Sequence, residues 1–207
     1  MLSDLHRLPH KSYRFTPSSA LLADLRWWNE FLAVYNGVSL LRSPPWIDTT
    51  VRFYTDACIS GIGGFFDGRF FHSSYPPFID TALLSIALLE MLAVIVSLQL
   101  WSEELRGQQI LVQTDNQNTE LAINTGRSRV SFVQSCLREL WFYASCFDFE
   151  LRAFYISGHQ NTIADSLSRW DNDPKFQHTF YEAAHLHHNP LTEYIFSFDF
   201  FRFDCQW

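Results

Sequence analysis

The sequence predicts an α/β fold: a five-stranded mixed sheet flanked by helices, with an N-terminal helical extension. One observation is that β-branched and aromatic residues dominate several short segments, whereas longer segments between them have helical patterns. A second is the Asp67-Gly68 pair between two aromatic runs, which is typical of an antiparallel hairpin. A third is the alternation of strand and helix after this hairpin, because a strand that returns through a crossover helix packs in parallel.

The N-terminal segment is predicted to hold one helix, at residues 19–35, which ends at an Asn-Gly pair. A Pro-Pro pair at residues 44–45 cannot continue a helix and marks a boundary. The aromatic end of the chain could add a strand or cover an apolar patch. These features divide the chain into three parts: a helical segment at residues 1–47, the main domain at 48–170 and a C-terminal aromatic tail at 171–207.

The main domain is predicted to begin with three antiparallel strands. The first lies at residues 50–57, and the second and third form the hairpin at 61–74. A fourth strand at 108–115 and a fifth at 149–157 join the sheet in parallel, because helices precede them. The helices are predicted at residues 83–104, from 116 to 121, at 130–146 and at 162–170.

Residues 83–101 form a mostly apolar run with one ionisable side chain, Glu90. The run is long enough to cross a bilayer, but it holds other polar residues, and a carboxylate at mid-membrane costs about 2.5–3.5 kcal/mol. We therefore expect a core helix between the sheet and other helices, and no membrane. A buried carboxylate must be protonated, hydrogen-bonded or matched by a cation, so Glu90 needs a partner.

Four acids occupy comparable places in the predicted fold. Asp56 ends the first strand, Glu90 lies in the apolar helix, Asp115 ends the fourth strand, and Asp165 lies in the last helix. Sites in open α/β sheets gather at the carboxyl ends of parallel strands, so these side chains are expected to meet. Oxygen ligands without a Cys or His cage are typical of Mg²⁺ or Mn²⁺ sites, and two such ions can support phosphodiester hydrolysis.

Four motifs, in a fixed order, carry a resemblance to a known family: FYTDACISGIGGFF, LLEMLAVIVSLQLW, ILVQTDNQNTELAIN and YISGHQNTIADSLSR. Together they resemble the ribonuclease H domain that follows the polymerase in retroelement reverse transcriptases, and they are most similar to tyrosine-recombinase retrotransposons of DIRS type. The segment DLRWWNEFLAVYNG resembles the connection between polymerase and ribonuclease H in those elements. The resemblance covers roughly residues 21–170, and Ser157 stands where relatives usually have proline.

The resemblance implies a ribonuclease H-like fold and a metal-dependent endonuclease that cuts the RNA strand of an RNA/DNA hybrid. It implies that two Mg²⁺ or Mn²⁺ ions are bound by Asp56, Glu90, Asp115 and Asp165. It also implies that His159 assists proton transfer or product release. The implied partners are the hybrid and the polymerase portion of the same polyprotein, with no small-molecule cofactor.

Charge and cysteine usage add two expectations. The formal net charge of −7 has the wrong sign for holding nucleic acid by electrostatics alone, so we expect weak hybrid affinity unless the polymerase portion contributes. Four dispersed cysteines without CxxC pairing predict reduced thiols, and the N-terminus lacks an apolar signal core. A cytoplasmic or nuclear protein that is not secreted is therefore expected.

Two other functions stay open at this stage. The chain could be a retroelement-derived binding module that has lost activity, or a DDE-type transposase or nuclease on the same fold. The first is disfavoured because all four acids are present. The second is disfavoured because such enzymes usually lack the N-x-x-AD-x-LSR sequence around the last acid.

The candidate residues also have structural interpretations. Asp56 and Asp115 could cap a turn and a helix, and Asp165 could pair with Arg169 along one helix. His159 could be an ordinary loop residue. The glycines at 61, 63 and 64 indicate a bulge or bend, or else a close approach of a nucleic-acid backbone. A metal site at residues 185–188 is disfavoured, because that histidine cluster lacks acid or cysteine partners at set spacing.

Overall fold

The architecture comes from a computed structural model and is described for residues 16–35, 51–186 and 189–198. Several predictions lie outside the described residues. They concern the Pro-Pro boundary at 44–45, the histidines at 187 and 188, and the end of the aromatic tail after residue 198.

One mixed sheet organises the described residues, with the strand order β5-β4-β1-β2-β3-β6. The strands are β1 (Val51–Ala57), β2 (Gly61–Phe66), β3 (Arg69–Ser74), β4 (Gln109–Thr114), β5 (Glu150–Tyr155) and β6 (Thr192–Glu193). Strands β1, β2 and β3 are antiparallel neighbours, whereas β4 pairs in parallel with both β1 and β5. The predicted mixed α/β architecture and its antiparallel meander are confirmed.

The prediction of five strands is wrong, because β6 adds a sixth strand parallel to β3. The backbone N–H of Thr192 donates to the Gly68 carbonyl at 2.9 Å, and that of Tyr194 donates to the Phe70 carbonyl at 2.7 Å. These bonds give partners to two carbonyl groups at the start of β3, on its open edge. The sequence allows an added strand in the aromatic end of the chain, but β6 lies just before the aromatic run that starts at Tyr194. Two residues are too short to produce an alternating sequence pattern, so the position of this strand is not readable from the sequence.

Six helices surround the sheet within the described ranges. They are α1 (Ser19–Val34), α2 (Ile86–Trp101), α3 (Gln117–Thr125), α4 (Ser131–Phe147), α5 (Thr162–Ser168) and α6 (Pro174–Ala184). The apolar helix predicted at 83–104 is shorter at both ends. It begins after Ser85, which is extended at ψ 153°, and turns replace helical structure after Trp101.

Helix α2 is buried on nearly all sides, as expected for a core helix. Trp101 at its end is fully buried, and its ring centroid lies 5.6–5.7 Å from those of Phe53, Phe66 and Phe71. The helix therefore joins the central strand and the meander in one core. No helix in the described part of the chain has the length and apolarity that a membrane crossing requires.

The opposite face of β2 and β3 is covered by α5 and α6. A smaller apolar cluster forms there from Phe65, Phe70, Leu167, Phe180 and Ala184. The rings of Phe70 and Phe180 are 4.7 Å apart, centroid to centroid. This cluster packs α5 against the sheet. Helix α5 carries Asp165, the last of the four candidate acids.

Helix α1 is attached to α4. The Arg138 guanidinium contacts a carboxylate oxygen of Asp24 at 2.6 Å, and the Trp27 indole N–H donates to the Arg138 carbonyl at 2.8 Å. The predicted N-terminal helix therefore packs against a helix that is far from it in sequence.

At one residue, Ala153, the outer edge of β5 is covered by a side chain of α3. Asn124 accepts from the Ala153 N–H and donates to the Ala153 carbonyl, both at 2.9 Å, so its amide takes the place of a neighbouring strand. We expect Asn124→Ala to lower the free energy of unfolding by about 2 kcal/mol, because two hydrogen bonds are lost. Urea unfolding measures this, with the exposed Asn118→Ala on the same helix as the control. Equal stabilities of the two variants would contradict the assignment.

Candidate metal centre

Three of the four predicted acids come together at one end of the central strands. Asp56 lies near the end of β1, Asp115 follows β4, and Glu90 projects from α2. One carboxylate oxygen from each lies within 4.8 Å of the others. The cause is topological, since β1 and β4 are parallel neighbours whose carboxyl ends reach the same edge of the sheet.

Local hydrogen bonds leave these carboxylates facing one another. Asn116 caps α3, because its Oδ1 accepts from the N–H groups of Asn118 at 3.0 Å and Thr119 at 3.2 Å. Asp115 is therefore not needed as the helix cap. Glu90 Oε1 accepts from the Ala57 N–H at 3.3 Å, which directs its carboxylate towards the end of β1.

Burial and mutual repulsion both act on the cluster. Asp56 and Glu90 are each only 3% exposed, and Asp115 is half-buried. Burial, together with the charges of Asp115 and Asp165, raises the pKa of Asp56 to about 7, although a hydrogen bond from Ser168 acts in the opposite direction. Burial and the charges of Asp56 and Asp115 raise the pKa of Glu90 well above its usual range. A bound cation would remove this repulsion.

The residues present fit a divalent metal ion. Glu90 Oε2 is buried and has no hydrogen-bond partner among the residues that the structure describes. A buried polar atom of this kind is costly unless something binds it. All the grouped ligands are carboxylate oxygens, the donor type that Mg²⁺ and Mn²⁺ prefer.

Asp165 lies beside this group but is engaged elsewhere. Its charge raises the pKa values of both Asp56 and Asp115, so it is within electrostatic range of them. Its Oδ1 accepts from the Arg169 Nε–H at 2.7 Å, four residues along the chain. It is not among the three acids whose oxygens lie within 4.8 Å of one another. The structure thus shows the helix ion pair that the sequence allowed for this residue.

His159 lies on the exposed 3₁₀ turn Gly158–Gln160, between β5 and α5. None of the contacts within the described ranges joins its ring to the acids; its carbonyl accepts from the Thr162 hydroxyl at 3.0 Å. The turn itself passes close to the cluster, since a Cβ on Gly158 would lie 3.4 Å from Asp115 Oδ2. The structure therefore brings the turn that carries His159 close to Asp115.

Two side chains that support the site were not predicted. The Ser168 hydroxyl donates to Asp56 Oδ2, although the two residues are 112 positions apart. The fully buried Asn161 donates from Nδ2 to the Thr55 carbonyl at 2.9 Å and so ties the start of α5 to β1. Both residues lie in the quoted YISGHQNTIADSLSR segment, but no sequence pattern indicates which strand they contact.

The glycines of β2 allow a helix of this chain to approach the strand closely. The strand pairs with both neighbours without interruption, which excludes the bulge. A Cβ on Gly63 would lie 2.3 Å from the Leu167 Cβ, and one on Gly61 would lie 2.8 Å from the Ser168 carbonyl oxygen. These two positions allow the end of α5 to rest on the strand backbone.

Comparisons with known proteins found similarity among solved structures. No protein-family model and no curated protein matches this chain. Among solved structures, the chain is similar to an RNase H1 from the halophilic archaeon Halobacterium salinarum NRC-1. The similarity covers 60% of this chain and 99% of that chain, with 16% sequence identity and a TM-score of 0.47.

Proposed function

We propose that this chain is a metal-dependent endonuclease that hydrolyses the RNA strand of RNA/DNA hybrids. The observation that carries the proposal is the meeting of three carboxylates, two of them almost fully buried, at the ends of adjacent parallel strands. Such a cluster is costly to keep unless cations neutralise it. The ordered motifs that resemble ribonuclease H suggest which reaction and substrate the cluster serves.

Asp56, Glu90 and Asp115 would hold the metal. Asp165 is proposed as a fourth ligand, which requires that it leave its ion pair with Arg169. Mg²⁺ or Mn²⁺ is the class that an all-oxygen site takes, and two ions are proposed. When bound, such ions generate a nucleophilic water and stabilise charge on the leaving oxygen. The rest of the chain's contribution is orientation and proton handling.

The chain's own groups orient these carboxylates before any ligand arrives. The Ala57 N–H holds one oxygen of Glu90, and the Asn161 amide fixes the strand next to Asp56. Because these carboxylates are already ordered, the free energy of ordering them is not part of the reaction barrier. His159 is exposed near the cluster, and we assign its imidazole the transfer of a proton to the departing product.

The substrate and context follow from the resemblance. Contacts to 2′-hydroxyl groups across the wide minor groove would select the RNA strand of the hybrid. The chain is acidic overall, so the polymerase portion of a DIRS-type reverse transcriptase is proposed to supply much of the grip on the hybrid. Residues 1–47 are proposed to be the connection to that polymerase portion, and the setting is cytoplasmic or nuclear.

A cleavage assay tests the proposal directly. A hybrid with end-labelled RNA is incubated with the chain and Mg²⁺ or Mn²⁺, and cleavage products with 3′-hydroxyl and 5′-phosphate ends are expected. Asp56→Asn and Asp115→Asn should each lower the rate at least about 100-fold, because several kcal/mol of metal-dependent stabilisation are lost. Asp80→Asn, an exposed acid outside the cluster, is the matched control and should cleave normally.

Three outcomes would count against the proposal. A folded wild-type chain that leaves the hybrid intact with both metals would favour the binding module. Equal cleavage of a DNA/DNA duplex would favour a DDE-type nuclease. Cleavage that survives both substitutions would remove the site assignment.

A further inference from the structure

The end of α5 is joined to the metal centre by one buried side chain. Ser168 is 3% exposed, and its hydroxyl donates to Asp56 Oδ2. The same hydroxyl oxygen lies 3.0 Å from the Asp165 carbonyl oxygen, the normal partner of a helix serine. A hydroxyl has one proton to donate, and a carboxylate is the stronger acceptor, so the bond to Asp56 dominates.

Ser168 is itself held from the other side. Its carbonyl accepts from the Cys58 thiol at 3.1 Å, and Cys58 follows β1 directly. The helix end also rests on β2, where Gly63 leaves no side chain in the way and pairs with Asp56 across the ladder. The donor of the hydrogen bond is thus fixed in position relative to β1 and β2.

Asp56 needs such a restraint because its neighbours repel it. Glu90 and Asp115 contribute oxygens within 4.8 Å, and without a cation the charges favour separation of the three carboxylates. A hydrogen bond to Oδ2 limits rotation of the Asp56 carboxylate away from the others. Hydrogen-bond partners of this kind orient metal ligands, and their loss typically lowers metal affinity by about 10–100-fold.

We infer that Ser168 is a positioning residue for the metal centre, which holds the Asp56 carboxylate in the orientation that binds a divalent ion. This inference rests on the proposed function, because it assumes that Asp56 is a metal ligand. It goes beyond that proposal by assigning a role to a residue that is not an acid and is not proposed as a metal ligand.

The chain offers a matched control within the same helix. Ser166 is 1% exposed, and its hydroxyl donates to the Thr162 carbonyl at 2.8 Å, an ordinary contact along the helix. Ser166→Ala therefore removes a buried serine hydroxyl from α5 without touching an acid. A general effect of weakening α5 would appear in both alanine variants.

The test measures Mn²⁺ binding to the full chain by isothermal titration calorimetry, without nucleic acid. Ser168→Ala should raise the dissociation constant about tenfold or more. Ser166→Ala should leave it within about twofold of the wild-type value, and Ser168→Thr, which keeps the hydroxyl, should stay within about threefold. Thermal unfolding in metal-free buffer checks that each variant is folded at the titration temperature.

The outcomes separate this inference from the proposed function. A wild-type chain that binds no Mn²⁺ overturns the metal centre itself and the inference with it. Tight Mn²⁺ binding by wild type and by folded Ser168→Ala overturns the positioning role alone. The positioning role is also overturned if Ser166→Ala raises the Mn²⁺ dissociation constant as much as Ser168→Ala does. If Ser168→Ala does not fold, the test uses Ser168→Thr. A tenfold loss of Mn²⁺ affinity in this variant, which keeps the hydroxyl, contradicts the inference.

Discussion

Without divalent ions, the free energy of unfolding of this protein is expected to fall as the pH rises from about 4 to about 7. Burial, with the charges of Asp115 and Asp165, raises the pKa of Asp56 from 3.8 to about 7 despite the opposing hydrogen bond from Ser168. The folded state then binds this proton more tightly than the unfolded chain does. Its contribution is fully present below pH 3.8 and is lost as the pH passes the folded pKa.

The expected size of this effect is large. At about 1.36 kcal/mol per pKa unit, Asp56 alone accounts for a loss on the order of 4 kcal/mol across this range. Glu90 and Asp115, whose pKa values are also raised, act in the same direction. This loss would be a substantial fraction of the stability of a typical domain.

Urea unfolding in EDTA at several pH values between 4 and 8 measures the effect. Asp56→Asn should flatten the profile and be more stable than wild type at pH 8, because it removes a charge that is costly to bury. Asp80→Asn should follow the wild-type profile. Adding Mn²⁺ at pH 8 should restore stability to the wild-type chain but much less to Asp56→Asn. A wild-type profile that stays flat in EDTA would contradict the electrostatic account of the cluster.

Gly63→Ala is expected to destabilise the protein by at least about 3 kcal/mol and to weaken Mn²⁺ binding at the same time. The added Cβ would lie 2.3 Å from the Leu167 Cβ and 2.7 Å from the Ser168 backbone nitrogen. The second of these atoms belongs to the backbone, so α5 as a whole must move. That movement would pull the Ser168 hydroxyl away from Asp56.

Gly107→Ala is the matched control for this prediction. Gly107 has φ +69° and nothing within 4 Å of an added Cβ, so only backbone strain of about 1–2 kcal/mol is expected. Urea unfolding and Mn²⁺ titration are measured on both variants. A Gly63→Ala chain with wild-type stability, or one that is destabilised but binds Mn²⁺ normally, would show that α5 does not position the site.

The acids that converge were predictable from simple positional rules. Asp56 and Asp115 end strands that a crossover connection makes parallel, and parallel strands bring such residues to one edge. Glu90 was conspicuous because a carboxylate in an apolar run requires a partner. The convergence of these three acids depends on topology and burial, and a sequence pattern can indicate both.

The supporting contacts depended on geometry that no pattern encodes. The bond between Ser168 and Asp56 joins residues 112 positions apart, and its formation requires the close packing of α5 on β2. Asp165 illustrates the same limit, since its pairing with Arg169 is a local choice that spacing allows but does not decide.

Helix α6 is not among the predicted helices, although its start is marked in the sequence. Asp173 caps it by accepting from the Lys175 N–H at 2.9 Å, and Pro174 occupies the first turn. Strand β6 has no comparable signal, because the open edge of β3 imposes its conformation. The start of α6 is therefore readable from the sequence, whereas the position of β6 is not.

The pairing of β3 with β6 constrains the order in which the protein can fold. Arg69 and Phe70 pair with Thr192 and Glu193, so this edge of the sheet stays open during synthesis until residues 192 and 193 have left the ribosome. An open edge is a template for strands of other molecules, and the risk is greatest while a nascent chain is incomplete. Fragments that stop before residue 192 should accordingly be more prone to intermolecular aggregation than the full chain.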